Sequence, residues 1–139
     1  MSKSNLAGCL YSLKRGANMS YDNQNIFARI LRGEIPCDKV YENEWALAFH
    51  DIAPQAPTHI LVIPKGQYIS MEDFSSNASD SEIVGYFRAI GAVARQAGAT
   101  ADGYRILANH GKNAHQEVPH LHTHIFAGRD LGGMLGRPK

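Results

Sequence analysis

Long apolar runs are missing from this chain. Its longer ones are of the order of ILVIP at residues 60–64, against the ~20 residues that a membrane-spanning helix needs. No membrane partner is therefore expected. A strong charge of either sign is missing too. Fourteen Lys and Arg stand against thirteen Asp and Glu, a net charge of +1. Nucleic-acid binding through the phosphate backbone needs a basic footprint, so no nucleic-acid partner is expected. A small anionic ligand stays open, because it needs only a local cluster of donors. Cysteine is scarce: Cys9 and Cys37 form no Cys-x-x-Cys pair. Free thiols in a reducing, cytoplasmic setting are the expectation. Residues 1–18 contain no acidic residue and lack the apolar core of a secretory signal. Residues 1–22 are read as a disordered leader or an upstream-start extension. The domain is expected over 23–139, opening just after Met19. A transit peptide is the weaker alternative for the leader.

What is there suits one compact domain. The chain has 139 residues, 44% of them hydrophobic, enough for a core of its own. Residues 23–34 place Ile26, Phe27, Ile30 and Leu31 on one helical face, with Gly33 to end the helix and Pro36 beyond. Residues 38–52 read as two strands around a turn at 42–44. APQAPT at 53–58 is a loop, since prolines interrupt regular structure. HILVIPK at 59–65 reads as a strand in the centre of a sheet. Residues 79–98 are the main helix, capped by Ser79 or Ser81. Its apolar positions are Ile83, Val84, Phe87, Ile90 and Ala94, and Gly98 can end it. Residues 103–109 read as a strand, 110–117 as a polar loop, and 118–126 as the last strand. The order α-β-β-β-α-β-β argues for an α+β fold with a mostly antiparallel sheet.

The last strand, VPHLHTHIF, carries histidine at every second position: His120, His122 and His124. Side chains alternate faces along a strand, so these three would share one face with Phe126, while Leu121, Thr123 and Ile125 turn to the other. A solvated face is a poor explanation of strict alternation. A zinc site is a stronger one, since histidines at i and i+2 can both ligate. It needs further ligands, and Glu117 is the one carboxylate close by. A relay is the third. Adjacent imidazolium ions repel, so some rings stay neutral, and a neutral ring can attack while a neighbour handles a proton.

The stretch HLHTHIF resembles the signature of the histidine triad (HIT) superfamily of nucleotide hydrolases and transferases. Two further blocks, LAFHDIAPQAPTHILVIPK (47–65) and NIFARILRGEIPCDKVYE (25–42), are similar to the family's HINT branch. The resemblance implies a HIT-like fold: a five-stranded, mostly antiparallel sheet with one long and one short helix, extended across a homodimer. It implies cleavage of nucleoside 5'-phosphoramidates or acyl-adenylates, with a purine nucleotide as substrate or product and no cofactor. His122 would be the nucleophile, forming a nucleotidyl-histidine. His124 would bond the phosphate oxygens or the leaving group, and His120 would orient its neighbours. His59 would support the other ring nitrogen of His122. Asp51 would bind the ribose hydroxyls, with a turn role before Ala53 as its alternative. Ile26, Phe27, Ile30 and Ile52 would line the base pocket, or the helical ones be plain core. Asn109, Gln116, Glu117 and Val118 would lie on the phosphate side.

This chain departs from the pattern in places. His115 stands where the family has a glycine that approaches phosphate, so the loop geometry is open to question. Glu117 stands where much of the branch has a serine donor. An ionised carboxylate cannot donate, so its backbone N–H is expected to serve, with the side chain turned away. Asn25 and Ala28 replace the cysteines of a zinc site found in some members, which implies no metal. Residues 79–98 and 104–109 would form the dimer interface. Two other readings remain: a dinucleoside polyphosphate hydrolase, or a nucleotide- or partner-binding protein with vestigial activity.

Overall fold

The structure, a computed structural model, describes residues 20–135. The proposed extension falls largely outside them. Five strands form one antiparallel sheet in the order β1-β2-β3-β5-β4. They are β1 (Lys39–Glu42), β2 (Ala46–His50), β3 (Thr58–Pro64), β4 (Tyr104–Leu107) and β5 (Thr123–Ala127). Among the described residues three α-helices accompany them: α1 (Ile26–Leu31), α2 (Met71–Asn77) and α3 (Asp80–Gln96). The fold is the α+β architecture expected, with one helix more than the sequence pattern suggested. Among the described residues, no helix is long and apolar enough to cross a membrane.

Strands β2 and β3 read as nearly unbroken apolar runs because the sheet is covered on both faces. Ala46, Ala48, Ile60 and Val62 turn towards α3 and pack with Phe74, Tyr86, Ala89, Ile90 and Val93. The alternate residues Leu47, Phe49, Leu61 and Ile63 pack with Phe27 of α1. The period-2 geometry of the strands thus sorts one hydrophobic sequence into two cores.

Helix α3 starts at a capping box. Ser79 Oγ accepts from the Glu82 N–H, and the Glu82 carboxylate accepts from the Ser79 N–H. Its buried stripe is Tyr86, Ala89, Ile90, Val93 and Ala94. Val84 and Phe87, assigned to the packed face from the sequence, are instead 52% and 47% exposed. Gly85 sets this rotation: a Cβ there would come within 2.2 Å of the Trp45 ring, so the helix meets β2 on the Gly85–Tyr86 side. The Tyr86 hydroxyl then donates to the Val62 carbonyl and pairs with Thr123 Oγ1, both at 2.7 Å, tying α3 to β3 and β5.

Two elements differ from the sequence reading. Helix α2 has no apolar stripe, and Phe74 is its one buried large apolar side chain. It is held by tertiary contacts, with the buried Asp73 carboxylate accepting from the Ile69 N–H at 2.7 Å. The histidine segment is strand only from Thr123 onward. Pairing of β5 with β3 stops at Val62↔Thr123. Beyond that, Pro64 and Pro119 carry no N–H to continue a ladder, and the Leu121 N–H goes to the Tyr68 carbonyl at 2.8 Å. His120 and His122 therefore precede the strand and are held by other bonds.

Candidate active site

His122 Nδ1 lies 2.8 Å from the backbone carbonyl of His120. A carbonyl only accepts, so Nδ1 carries the proton and Nε2 keeps its lone pair. Burial holds the pKa of His122 below its ordinary value; the carbonyl of His120, Asp51 and Glu117 act weakly the other way. The ring is buried, and the edge-on ring of Phe27 packs against it with centroids 4.9 Å apart. The result is a neutral imidazole with one nucleophilic nitrogen.

His59 does not support His122, contrary to the sequence expectation. Its Nε2 lies 2.9 Å from His124 Nδ1. The reason is register: His59 sits opposite Phe126 in the β3–β5 pair and Leu61 opposite His124, which brings the two imidazoles to one side of the sheet. The Gln55 N–H donates to His59 Nδ1 at 3.1 Å, so the proton of neutral His59 is on Nε2, from which it donates to His124. His124 Nδ1 is then an acceptor, and its own proton is on Nε2. Burial pushes His124 down to about 4, helped by His122 and His59; burial also lowers His59, against Asp51. The site therefore presents a lone pair on His122 beside an N–H on His124, with ring centroids 5.2 Å apart. That combination can attack an electrophilic phosphorus while donating to an oxygen bound to it.

His120 is fully buried. Its Nε2 donates to the Pro64 carbonyl at 2.9 Å, and its Nδ1 lies 2.6 Å from the Tyr21 hydroxyl. It touches His122 through its carbonyl, which accepts from His122 Nδ1. Asp51 is half-buried and divided. Oδ1 accepts from the Ala53 N–H at 2.8 Å, forming the turn, while Oδ2 faces His59 Nε2 at 3.5 Å. The turn reading of this residue thus has a structural counterpart in the Ala53 bond.

The remaining candidates separate. Ile52 is almost wholly exposed at 98% and Ile26 partly so at 43%. Phe27 is buried against Phe49 and His122, and Ile30 packs beside it on the same core, together with Val118. Asn109 is half-buried, and its side chain makes no hydrogen bond among the described residues. The Gln116 amide is engaged in its own loop: Nε2 donates to the carbonyls of Ile69 and Val118, and Oε1 accepts from the Gly111 N–H. Glu117 is exposed, yet its charge reaches His122. His115 itself takes the left-handed conformation, φ 57° and ψ 44°, so the loop keeps a glycine-like turn without glycine. Tyr21, assigned by sequence to the extension, was missed as a site neighbour. Ninety-nine positions separate it from His120, and no local pattern signals the pair.

Asp51, His59 and His124 offer three potential metal-ligand atoms within 4.8 Å of one another. The 2.9 Å between His59 Nε2 and His124 Nδ1 is a hydrogen bond; two nitrogens on one tetrahedral zinc stand about 3.3 Å apart. The two imidazoles thus bond to each other through one proton, with Asp51 Oδ2 3.5 Å from His59 Nε2.

The HIT domain family matches residues 32–131. This chain belongs to the HIT family. A 13.2 kDa HIT-like protein from Azospirillum brasilense is 69% identical over 116 residues, 84% of this chain and 95% of the relative. The purine nucleoside phosphoramidase of Escherichia coli is 43% identical over 113 residues, 81% and 93% of the two chains. Among solved structures, a HIT family hydrolase from Legionella pneumophila aligns with a TM-score of 0.74 at 38% identity. That alignment covers 81% of this chain and all of the other. As a HIT family member, the chain carries its triad in a form that the family signature alone does not specify: two of the three histidines lie ahead of the strand, and the fourth, His59, bonds to His124.

Proposed function

We propose that this HIT protein hydrolyses purine nucleoside 5'-phosphoramidates or acyl-adenylates through a nucleotidyl intermediate on His122. The observation that carries the reading is the pair of tautomers: Nε2 of His122 bears a lone pair because its Nδ1–H goes to the His120 carbonyl, and His124 presents Nε2–H because His59 donates to its Nδ1. Nε2 of His122 attacks the α-phosphorus. The bond from phosphorus to the leaving nitrogen or acyl oxygen breaks, and the leaving group keeps the electron pair; an amine takes up a solvent proton. His124 donates to the phosphoryl oxygens as their charge grows. Water then attacks phosphorus, the P–Nε2 bond returns its pair to His122, and the nucleoside monophosphate leaves. Asp51 Oδ2 accepts from ribose hydroxyls, and the exposed Ile26 and Ile52 cover the base. Asn109 reaches the phosphate side.

The active unit is a homodimer in this reading. Val84 and Phe87 on α3, and Tyr104, Ile106 and Leu107 on the edge strand β4, are large apolar or aromatic side chains left exposed. An unpaired apolar edge strand is a liability that a second copy removes. The setting is the cytoplasm, in keeping with the free, half-buried thiol of Cys37.

The test is intact-mass spectrometry of wild type and His122→Gly, mixed briefly with adenosine 5'-phosphoramidate and quenched. An adenylyl adduct on wild type alone, with AMP accumulating, supports the reading. A folded wild type that binds AMP yet forms neither adduct nor product overturns it and favours a binding protein, with Glu117 and its charge near His122 the first residue to replace.

A further inference from the structure

His122 is aimed by a carbonyl that stands outside the sheet. The β3–β5 ladder ends at Thr123, so the backbone of residues 118–122 lacks strand pairing to fix it. The main-chain bonds that hold it are His120 N–H to the Val118 carbonyl and Leu121 N–H to the Tyr68 carbonyl. Side chains add further anchors: Gln116 Nε2 donates to the Val118 carbonyl, and both ring nitrogens of His120 are engaged. Nε2 donates to the Pro64 carbonyl, so the neutral ring has a lone pair on Nδ1, and the Tyr21 hydroxyl at 2.6 Å must be the donor to it. Tyr21 is half-buried, its ring edge-on to the imidazole with centroids 5.6 Å apart. It stands just before Asn25, which caps α1 by accepting from the Phe27 and Ala28 N–H groups and donates to the Asp22 carbonyl at 2.7 Å. The turn carrying Tyr21 is thereby fastened to the helix whose Phe27 packs on His122.

We propose that Tyr21 is a positioning residue of the triad: its hydroxyl pins His120, and through the His120 carbonyl it sets the tautomer and aim of His122. This rests on the hydrolase reading above for its kinetic consequence, but not for the hydrogen-bond geometry. The segment ahead of α1 is then a working part of the site. A ring with one nitrogen unpinned can rock about its remaining bond to Pro64, and the carbonyl attached to the same residue moves with it. Misaiming a nucleophile slows the chemical step more than it weakens substrate binding.

The test compares wild type with Tyr21→Phe, which keeps the ring and removes only the hydroxyl. With adenosine 5'-phosphoramidate, kcat is expected to fall about tenfold and KM to stay within about twofold. Single-turnover adenylylation of His122 should slow by the same factor. Histidine side-chain 15N NMR supplies a readout that a merely structural role would not move. The unprotonated Nδ1 of His120 should shift downfield on loss of its donor, the Nδ1–H of His122 should also shift, and His59 should not. Unchanged kcat in a folded Tyr21→Phe protein overturns the proposal. So does a loss confined to KM, or an unmoved His120 Nδ1 signal. If wild type itself fails to turn over the substrate, the hydrolase reading falls, and the NMR arm alone decides: shifts at both His120 and His122 support positioning by Tyr21, and their absence refutes it.

Discussion

Acidification from pH 7.5 to 5.0 should destabilise this protein through its buried histidines. Burial is the main cause in each case: His120 is pushed down to about 4, His124 likewise, and His122 and His59 are lowered. The ordinary histidine value is 6.5. Below it the unfolded chain takes up protons that the folded chain refuses, so the stability these groups permit is complete above pH 6.5 and declines as pH falls. For His120 the decline continues to about pH 4. At pH 5.0 it has run for one and a half pH units at about 1.4 kcal/mol each, a loss of about 2 kcal/mol. His124 is partly open to solvent, and a discounted contribution of about 1 kcal/mol is appropriate. The window isolates histidine. Glu34, held below the carboxylate range by its bond to Arg32, and Glu42, held there by Lys65, lose their contribution only below 4.5. The assay is urea unfolding followed by the fluorescence of Trp45, the single tryptophan, at fixed protein concentration because association would shift the midpoint. His120→Asn, which keeps an acceptor and a donor but does not titrate, should lose about 2 kcal/mol less over the same interval. A wild-type unfolding free energy at pH 5.0 within about 0.5 kcal/mol of that at pH 7.5 would refute the reasoning. Equal pH slopes in wild type and variant would refute its assignment to His120.

Three further outcomes are expected. His59→Ala removes the donor to His124 and should lower kcat/KM about tenfold, the kinetic equivalent of one hydrogen bond near 1.4 kcal/mol. The 15N signals of His124 should move while Nδ1–H of His122 stays; the opposite pattern would restore the sequence-based pairing of His59 with His122. His115→Gly places glycine at φ 57°, where a side chain is disfavoured, and should change stability by between zero and a gain of about 1 kcal/mol in thermal unfolding. A clear loss would mean that the His115 side chain has a role of its own. Dialysis against EDTA should leave turnover and unfolding midpoint unchanged. A loss of activity restored by zinc would show that Asp51, His59 and His124 hold a metal instead of sharing protons.

Much of the site was legible because its signals are local. The alternation of His120, His122 and His124, the PTH block with His59 and the HDI block with Asp51 are short patterns, and the fold brings these residues to one region of the molecule. Partners were less legible. The pairing of His59 with His124 depends on strand register, and a shift of register changes every cross-strand neighbour. Tyr21 and His120 are neighbours only in the folded chain, 99 positions apart in sequence. Helix α2 escaped notice because a seven-residue helix with one buried large apolar residue has no periodicity to read. The stripe of α3 was misjudged by one row, since Val84 and Phe87 are as hydrophobic as the residues that are buried. Gly85 against Trp45 decides which side faces in.

By itself, then, the sequence determined the order of the five strands and of helices α1 and α3, the antiparallel sheet and the residue types able to do chemistry. These follow from hydrophobic period, turn residues and the functional groups side chains carry, all properties of neighbouring positions. Only the tertiary structure decided which nitrogen of each imidazole bears the proton. A tautomer is set by what the opposite nitrogen touches, and those partners are the His120 carbonyl for His122, Gln55 and His124 for His59, and Pro64 and Tyr21 for His120. Apart from the His120 carbonyl and Gln55, they come from distant parts of the chain, so no stretch of sequence contains the full arrangement that fixes these tautomers.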